Sequence, residues 1–220
     1  MRLCIREPIP EIEIAAELLN AAVVAHHESR FAEASELFRA ADMKVVWDWL
    51  NSIWGRNSPH TQYRKVANAA PDIPKNLRAL PRDATATTKR LIHERDGHYC
   101  RFCKIPVVRG SIRAEIHKSY PAVVPWGSTN ASQHAAFQCM WAQYDHVLPH
   151  ARGGSSELQN VVLTCAACNY GRGNYTLEEV GLAHPDTHAK RLGPWTGLEQ
   201  FRVPLRPSGR PPEVRSQMFG

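Results

Sequence analysis

No apolar run in this 220-residue chain is long enough to cross a bilayer. The longest, such as AAVVA at 21–25, fall far short of the ~20 residues that a spanning helix needs. The N-terminus, MRLCIREPIPE, lacks an apolar core followed by a small-residue cleavage site. That argues against a secretory signal and places the protein in the cytoplasm. Acid is scarce over most of the chain. The net charge is +6, yet residues 1–60 hold nine acids against six bases, leaving +9 on the other 160. A basic body with an acidic end fits a polyanionic partner for the body, although such a charge fits simple solubility as well. Cysteine is sparse, with six residues. Cys4 and Cys139 have no close partner in sequence and read as ordinary buried or partly buried thiols.

Residues 11–54 read as helical. Ile14, Leu18, Ala21 and Ala25 recur at helical spacing, as do Phe31, Ala34, Leu37, Phe38 and Ala41 after the polar break HHES. Ser29 is the expected N-cap of the second run. A third run places Val45, Val46, Trp49, Leu50 and Ile53 on one side, with Gly55 as its C-terminal cap. SRFAEASELFRAA looks like half of a tetratricopeptide repeat, but a single unit cannot stack into a solenoid. Residues 1–56 are therefore expected to form a plain helical subdomain. Pro59, Pro71, Pro74 and Pro81 mark residues 57–85 as a linker that wraps. A helix is expected from Thr88 to Arg95, ended by the turn signal Asp96-Gly97. Residues 185–220 hold six prolines and six bases against three acids. They read as an extended tail, either partly disordered or laid along a nucleic-acid backbone.

The remaining cysteines form two knuckles, Cys100-Arg-Phe-Cys103 and Cys165-Ala-Ala-Cys168. In a cytosolic chain, close pairs bind metal more often than they form disulfides. Two such knuckles complete a closed tetrahedral thiolate site, typical of structural zinc. QYDHVL and Asn160-Val161-Val162-Leu163-Thr164 read as strands, joined by a loop that contains Gly153 and Gly154. The second knuckle then runs into Asn169 and a short helix. The order is strand, loop, strand, knuckle, helix.

RDGHYCRFC, YDHVLPHARGGSSELQNVVLTC and CAACNYGRG together resemble the HNH endonuclease family, whose fold is the ββα-metal motif. The resemblance covers about residues 86–180. It implies an α+β protein: the helical subdomain, the linker, a zinc-stabilised HNH nuclease domain over 86–184, and the tail. It also implies roles. Asp145 would be a metal ligand, His146 the general base, Asn160 the residue that holds the loop and orients the base, and Asn169 the second metal ligand. The expected catalytic ion is Mg²⁺ or Mn²⁺, since Asp and Asn offer hard oxygens. Neutral imidazole suits proton removal from water near neutral pH. Consecutive strand residues point to opposite faces, so Asp145 and His146 should diverge. Arg172, one turn beyond Asn169, and Arg152 are candidate phosphate clamps. His150 is a candidate for metal or phosphate, or else a plain loop histidine.

The chain between Cys103 and Asp145 is longer than the family pattern leads one to expect. It reads as a loop and a helix near 131–140, with Phe137, Met140 and Trp141 assigned to core packing. The implied substrate is DNA, with RNA open. No helix carries an identifiable base-reading pattern, and the basic tail suits backbone contact more than sequence readout. Two alternatives stand beside the nuclease: a non-catalytic zinc-stabilised nucleic-acid-binding module, and an accessory subunit that docks a protein partner through residues 11–54.

Overall fold

The computed structural model describes residues 1–54, 60 and 66–202. Gly55 and Pro59 lie outside the described residues, as does the tail from 203 onward. No helix among the described residues is long and apolar enough to cross a membrane.

Three helices open the chain: α1 (Pro10–His27), α2 (Phe31–Ala41) and α3 (Lys44–Trp54). Pro10 in the first turn of α1 has no N–H to leave orphaned. Glu11 and Glu13 at that end, with His26 and His27 at the other, match the helix dipole. The buried stripe of α1 is Ile12, Ala15, Ala16, Leu19, Ala22, Val23 and Ala25, whereas Ile14 is exposed. Ala34, Phe38 and Ala41 of α2 are buried, and Phe31 is exposed. Ser29 is not the N-cap of α2. It lies in the left-handed region at φ 61°, and Arg30 precedes the helix without a side-chain cap. An N-cap needs extended dihedrals, and the three-residue reversal between α1 and α2 uses Ser29 to turn the chain. On α3, Val46, Trp49, Leu50 and Ile53 are buried, while Val45 faces solvent.

Next, α4 (Ala86–Asp96) starts two residues earlier than its apolar pattern. The Thr88 N–H donates to Thr85 Oγ1 at 3.1 Å, and this cap fixes the start. The segment after the first knuckle holds a helix that the pattern concealed, α5 (Gly110–Ser119). Only Ile112 and Ile116 of α5 are buried, too few for a clear period. The expected helix near 131–140 is a 3₁₀ turn over Asn130–Ser132 followed by α6 (Ala135–Cys139).

The hairpin is β1 (Ala142–His146) paired antiparallel with β2 (Val161–Cys165), with Asp145 opposite Val162 and His146 opposite Val161. Helix α7 (Ala166–Arg172) follows directly, its first turn closed by the Cys168 N–H donating to Cys165 Sγ at 3.4 Å. A two-stranded hairpin is marginal alone, and here its neighbours supply the support. Ile53 of α3 meets Gly171 of α7 so closely that a Cβ there would lie 2.7 Å from Ile53 Cγ2. The N-terminal helices and the hairpin thus share one hydrophobic core. Residues 185–202 also fold back onto it instead of extending. Arg191 pairs with Glu13 at 2.5 Å, and the Trp195 indole N–H donates to the Val107 carbonyl at 2.9 Å.

Candidate active site and metal centre

The four knuckle cysteines converge. Cys100, Cys103, Cys165 and Cys168 are buried, and their Sγ atoms all lie within 4.8 Å of one another. Cys103 and Cys165 sulfurs are 3.5 Å apart. Burial opposes charge on Cys100, yet hydrogen bonds from the other three thiols draw its pKa well below the usual thiol value. Four thiols in this arrangement suit a soft or borderline cation. Cys4 and Cys139 are buried apart from the cluster, as expected.

The first knuckle is far from the second in sequence, and Asp96 ties them together. Its buried carboxylate accepts from Arg95, from Arg101 at 2.9 Å and from the Leu163 N–H of β2 at 3.0 Å. The Arg101 N–H in turn donates to the Leu163 carbonyl at 2.8 Å. In the sequence, Asp96 stands out only as half of a turn signal.

Beside the cluster, a polar cavity of about 390 Å³ is lined by Asp145, His146, His150 and Asn169, with Arg78, Arg82 and Asp83 from the wrapping segment. Asp145 and His146 are neighbours on β1, yet both line this cavity. The strand's buried positions are Ala142 and Asp145, three apart, so strict alternation is broken.

His146 is half-buried, and its Nε2 lies 3.0 Å from Ser156 Oγ. The single Ser156 hydroxyl proton is directed at the Pro81 and Arg82 carbonyls, at 2.9 and 2.7 Å. The Ser156 oxygen must therefore accept from His146 Nε2–H, leaving Nδ1 as the basic nitrogen. Burial lowers the His146 pKa, and His150, Arg172 and Arg82 lower it further. The imidazole is thus neutral near pH 7.

The Asp145 carboxylate, 6 % exposed, is gripped by Arg172. Arg172 Nε donates to Oδ2 at 3.1 Å, and Nη2 donates to Oδ1. Burial raises the Asp145 pKa, and the Arg172 charge opposes that rise. Arg172 is only 1 % exposed, and its Nη1 and Nη2 also donate to the Val147, Tyr175 and His146 carbonyls. Its donors are committed inside the protein, so Arg172 is not the phosphate clamp that its sequence position promised. It is a positioning residue for Asp145. Arg152 does not line the cavity either, and one of its terminal nitrogens is buried without a partner. It pairs with Asp72 at 3.2 Å and Glu179 at 3.5 Å and donates to the Asn174 carbonyl. His150 is not a free loop histidine either, since its Nε2–H donates to the Ala79 carbonyl at 2.6 Å.

Asn160 clamps the loop. Its Oδ1 accepts from the Leu148 N–H at 2.8 Å, and its Nδ2 donates to the Leu148 and Ser155 carbonyls. It does not touch the His146 ring, which Ser156 holds instead. The glycine pair belongs to the same clamp. Gly153 takes φ 93°, and a Cβ on Gly154 would lie 1.8 Å from the Leu148 oxygen. The Asn169 Nδ2 donates weakly to Gln143 Oε1 at 3.4 Å. Its side-chain Oδ1 has no hydrogen-bond partner among the described residues, whereas its backbone carbonyl accepts from the Gly173 N–H at 3.1 Å.

Of the predicted core residues, Phe137 and Met140 are buried, but Trp141 is half-buried and lines a second cavity. Ser156, Arg78 and Arg82 do not stand out in the sequence. The only available signal was two arginines flanking Pro81 in a segment without periodicity.

The hairpin and the helix after it form a ββα unit, with four thiols placed to hold a metal ion and a polar cavity beside them. Residues 137–182 match the family model described as HNH endonuclease, so the chain carries an HNH domain. The match takes in the hairpin, Asn169 and the second knuckle, and the fold brings the first knuckle to them. It indicates a nuclease family member with a nucleic-acid substrate. No curated protein and no solved structure matches the chain.

Proposed function

We propose that the protein is a metal-dependent endonuclease that hydrolyses DNA phosphodiester bonds in the cytoplasm, with zinc in the four-cysteine cluster. The observation that carries this reading is the shared cavity. There a neutral His146 with a free basic nitrogen stands beside the oxygen donors of Asp145 and Asn169. These donors suit a hard divalent ion such as Mg²⁺ or Mn²⁺, which keeps waters and takes further ligands from phosphate. The Asp145 carboxylate accepts from Arg172 and from the His146 backbone N–H, and of its four lone pairs at least one is left to offer. When bound, such an ion stabilises charge on the phosphate and the leaving oxygen.

The chain's own residues do the rest. His146 Nδ1 takes a proton from water. The hydroxide oxygen bonds to phosphorus in line with the 3′-oxygen, and the P–O3′ bond breaks. The departing oxygen takes a proton from solvent, leaving 5′-phosphate and 3′-hydroxyl ends. Arg82, exposed at the rim with no side-chain partner among the described residues, is better placed than Arg152 or Arg172 to meet a phosphate.

The test is cleavage of supercoiled plasmid with added Mg²⁺ or Mn²⁺. His146→Ala should lose about 10²- to 10⁴-fold in rate. Equal activity in both proteins would sink the assignment. Ser156→Ala should cost on the order of tenfold in turnover, because the imidazole then loses its fixed tautomer. An unchanged turnover would remove Ser156 from the mechanism. The Arg172–Asp145 pair favours a second reading, a non-catalytic binding module, because a neutralised carboxylate holds a cation less strongly. That module would retard DNA in a gel with or without divalent ion and would never cut it.

A further inference from the structure

A second cavity, about 340 Å³, adjoins the site and is lined by Trp54, Trp141, Tyr170, Asn130, Gln133 and Gln138. We infer that it receives one unstacked nucleobase of the substrate strand, next to the scissile phosphate. The inference rests on the endonuclease reading for the identity of the strand.

Tyr170 is the link. It lines both cavities, directly follows Asn169, and is 47 % exposed. Its ring meets Trp54 edge-on at 5.8 Å between centroids. Trp54 and Trp141 are only half-buried, so three aromatic rings face a space that the core leaves open. Such rings stack on any base. The rest of the wall is carboxamide. Gln138, 2 % exposed, donates through Nε2 to Gln133 Oε1 at 3.0 Å, but its own Oε1 is buried without a partner. An orphaned buried acceptor is rare, and an incoming base edge, rich in N–H donors, is the kind of group that would satisfy it.

The lining also excludes other occupants. Among the described residues it holds no Lys or Arg, so they do not suit a phosphate, and no Asp or Glu, so they do not suit a cation. Aromatic faces with amide edges and no charge are the chemistry of a nucleobase. The size of this cleft admits a small planar ligand and excludes a duplex. The strand must therefore present this base unpaired. Trp141 comes from the segment between the knuckles, and Trp54 from α3, so the pocket is assembled from parts outside the hairpin.

The test measures binding, in buffer without added divalent ion, of two fluorescein-labelled probes of equal length. One is a mixed-sequence single-stranded DNA, and the other is the same deoxyribose-phosphate backbone without bases. Wild type should bind the base-bearing strand on the order of tenfold more tightly. Tyr170→Leu and Trp54→Leu should lose that preference while binding the base-free strand as before, and Tyr170→Phe should restore it. Tyr170 is exposed enough that its replacement spares the fold, and thermal melts of each variant verify this. No preference in wild type, or a preference retained by both Leu variants, would overturn the pocket. The plasmid assay separates the two readings. Metal-dependent cleavage without base preference leaves the nuclease standing and removes the pocket. Base preference without cleavage does the reverse.

Discussion

Replacing Cys168 with Ser, or stripping the cluster with a strong chelator, should abolish the cooperative melt of the protein. The four sulfurs sit at the junction of α4, β2 and α7, and all are buried. A filled cluster of this kind contributes about 10–16 kcal/mol in small zinc domains, comparable to the entire stability of an ordinary domain, about 5–15 kcal/mol. Without the cation, four buried thiols face one another with nothing to bind. The two-stranded hairpin then loses its tie to the first knuckle. The Asp96 network would remain, but its hydrogen bonds cannot offset a loss of that size. Metal analysis of the purified protein should find zinc at one ion per chain, and Cys168→Ser should lower that content together with the melt. A Cys168→Ser protein that keeps both its hairpin and its melting temperature would refute a structural role for the cluster.

Arg172→Leu should destabilise the protein by about 3–5 kcal/mol, the usual cost of stranding one member of a buried ion pair. Asp145 would keep a buried carboxylate that no longer has the Arg172 donors, and the Val147, Tyr175 and His146 carbonyls would lose a donor as well. The urea midpoint reads the effect. The Arg172→Leu, Asp145→Asn double variant should recover part of the loss, because it removes the stranded charge. Strict additivity of the two single changes would show that the pair is not coupled. Exposed Arg82→Leu provides the contrast. It should leave stability within about 0.5 kcal/mol, as surface changes do.

Much of this architecture was legible in the residues, and for physical reasons. The knuckles are visible because two sulfurs that share an ion must lie close in the chain. The hairpin and α7 follow from apolar runs broken by a glycine loop. What escaped notice is non-local. Ser156 matters because the carbonyls of Pro81 and Arg82 cross over it, and no local pattern records that crossing. Arg172 was placed on the correct helix, but guanidinium chemistry serves an internal carboxylate as readily as an external phosphate. Only burial distinguishes the two. Helix α5 hid because two isoleucines make too faint a stripe. Trp141 reads as core beside Phe137 and Met140, whereas it is half-buried and borders a cavity.

The contact between Ile53 and Gly171 reaches beyond packing. It joins the first helices of the chain to the helix that carries Asn169 and Arg172, leaving no room for even one methyl group between them. The matched segment is therefore not a detachable cartridge. In any recombination, the helices at the start and the hairpin further on must travel as a pair. A side chain at Gly171 can be tolerated only alongside a smaller residue at Ile53, so gains of bulk at the first position should follow losses at the second across descendants of this chain.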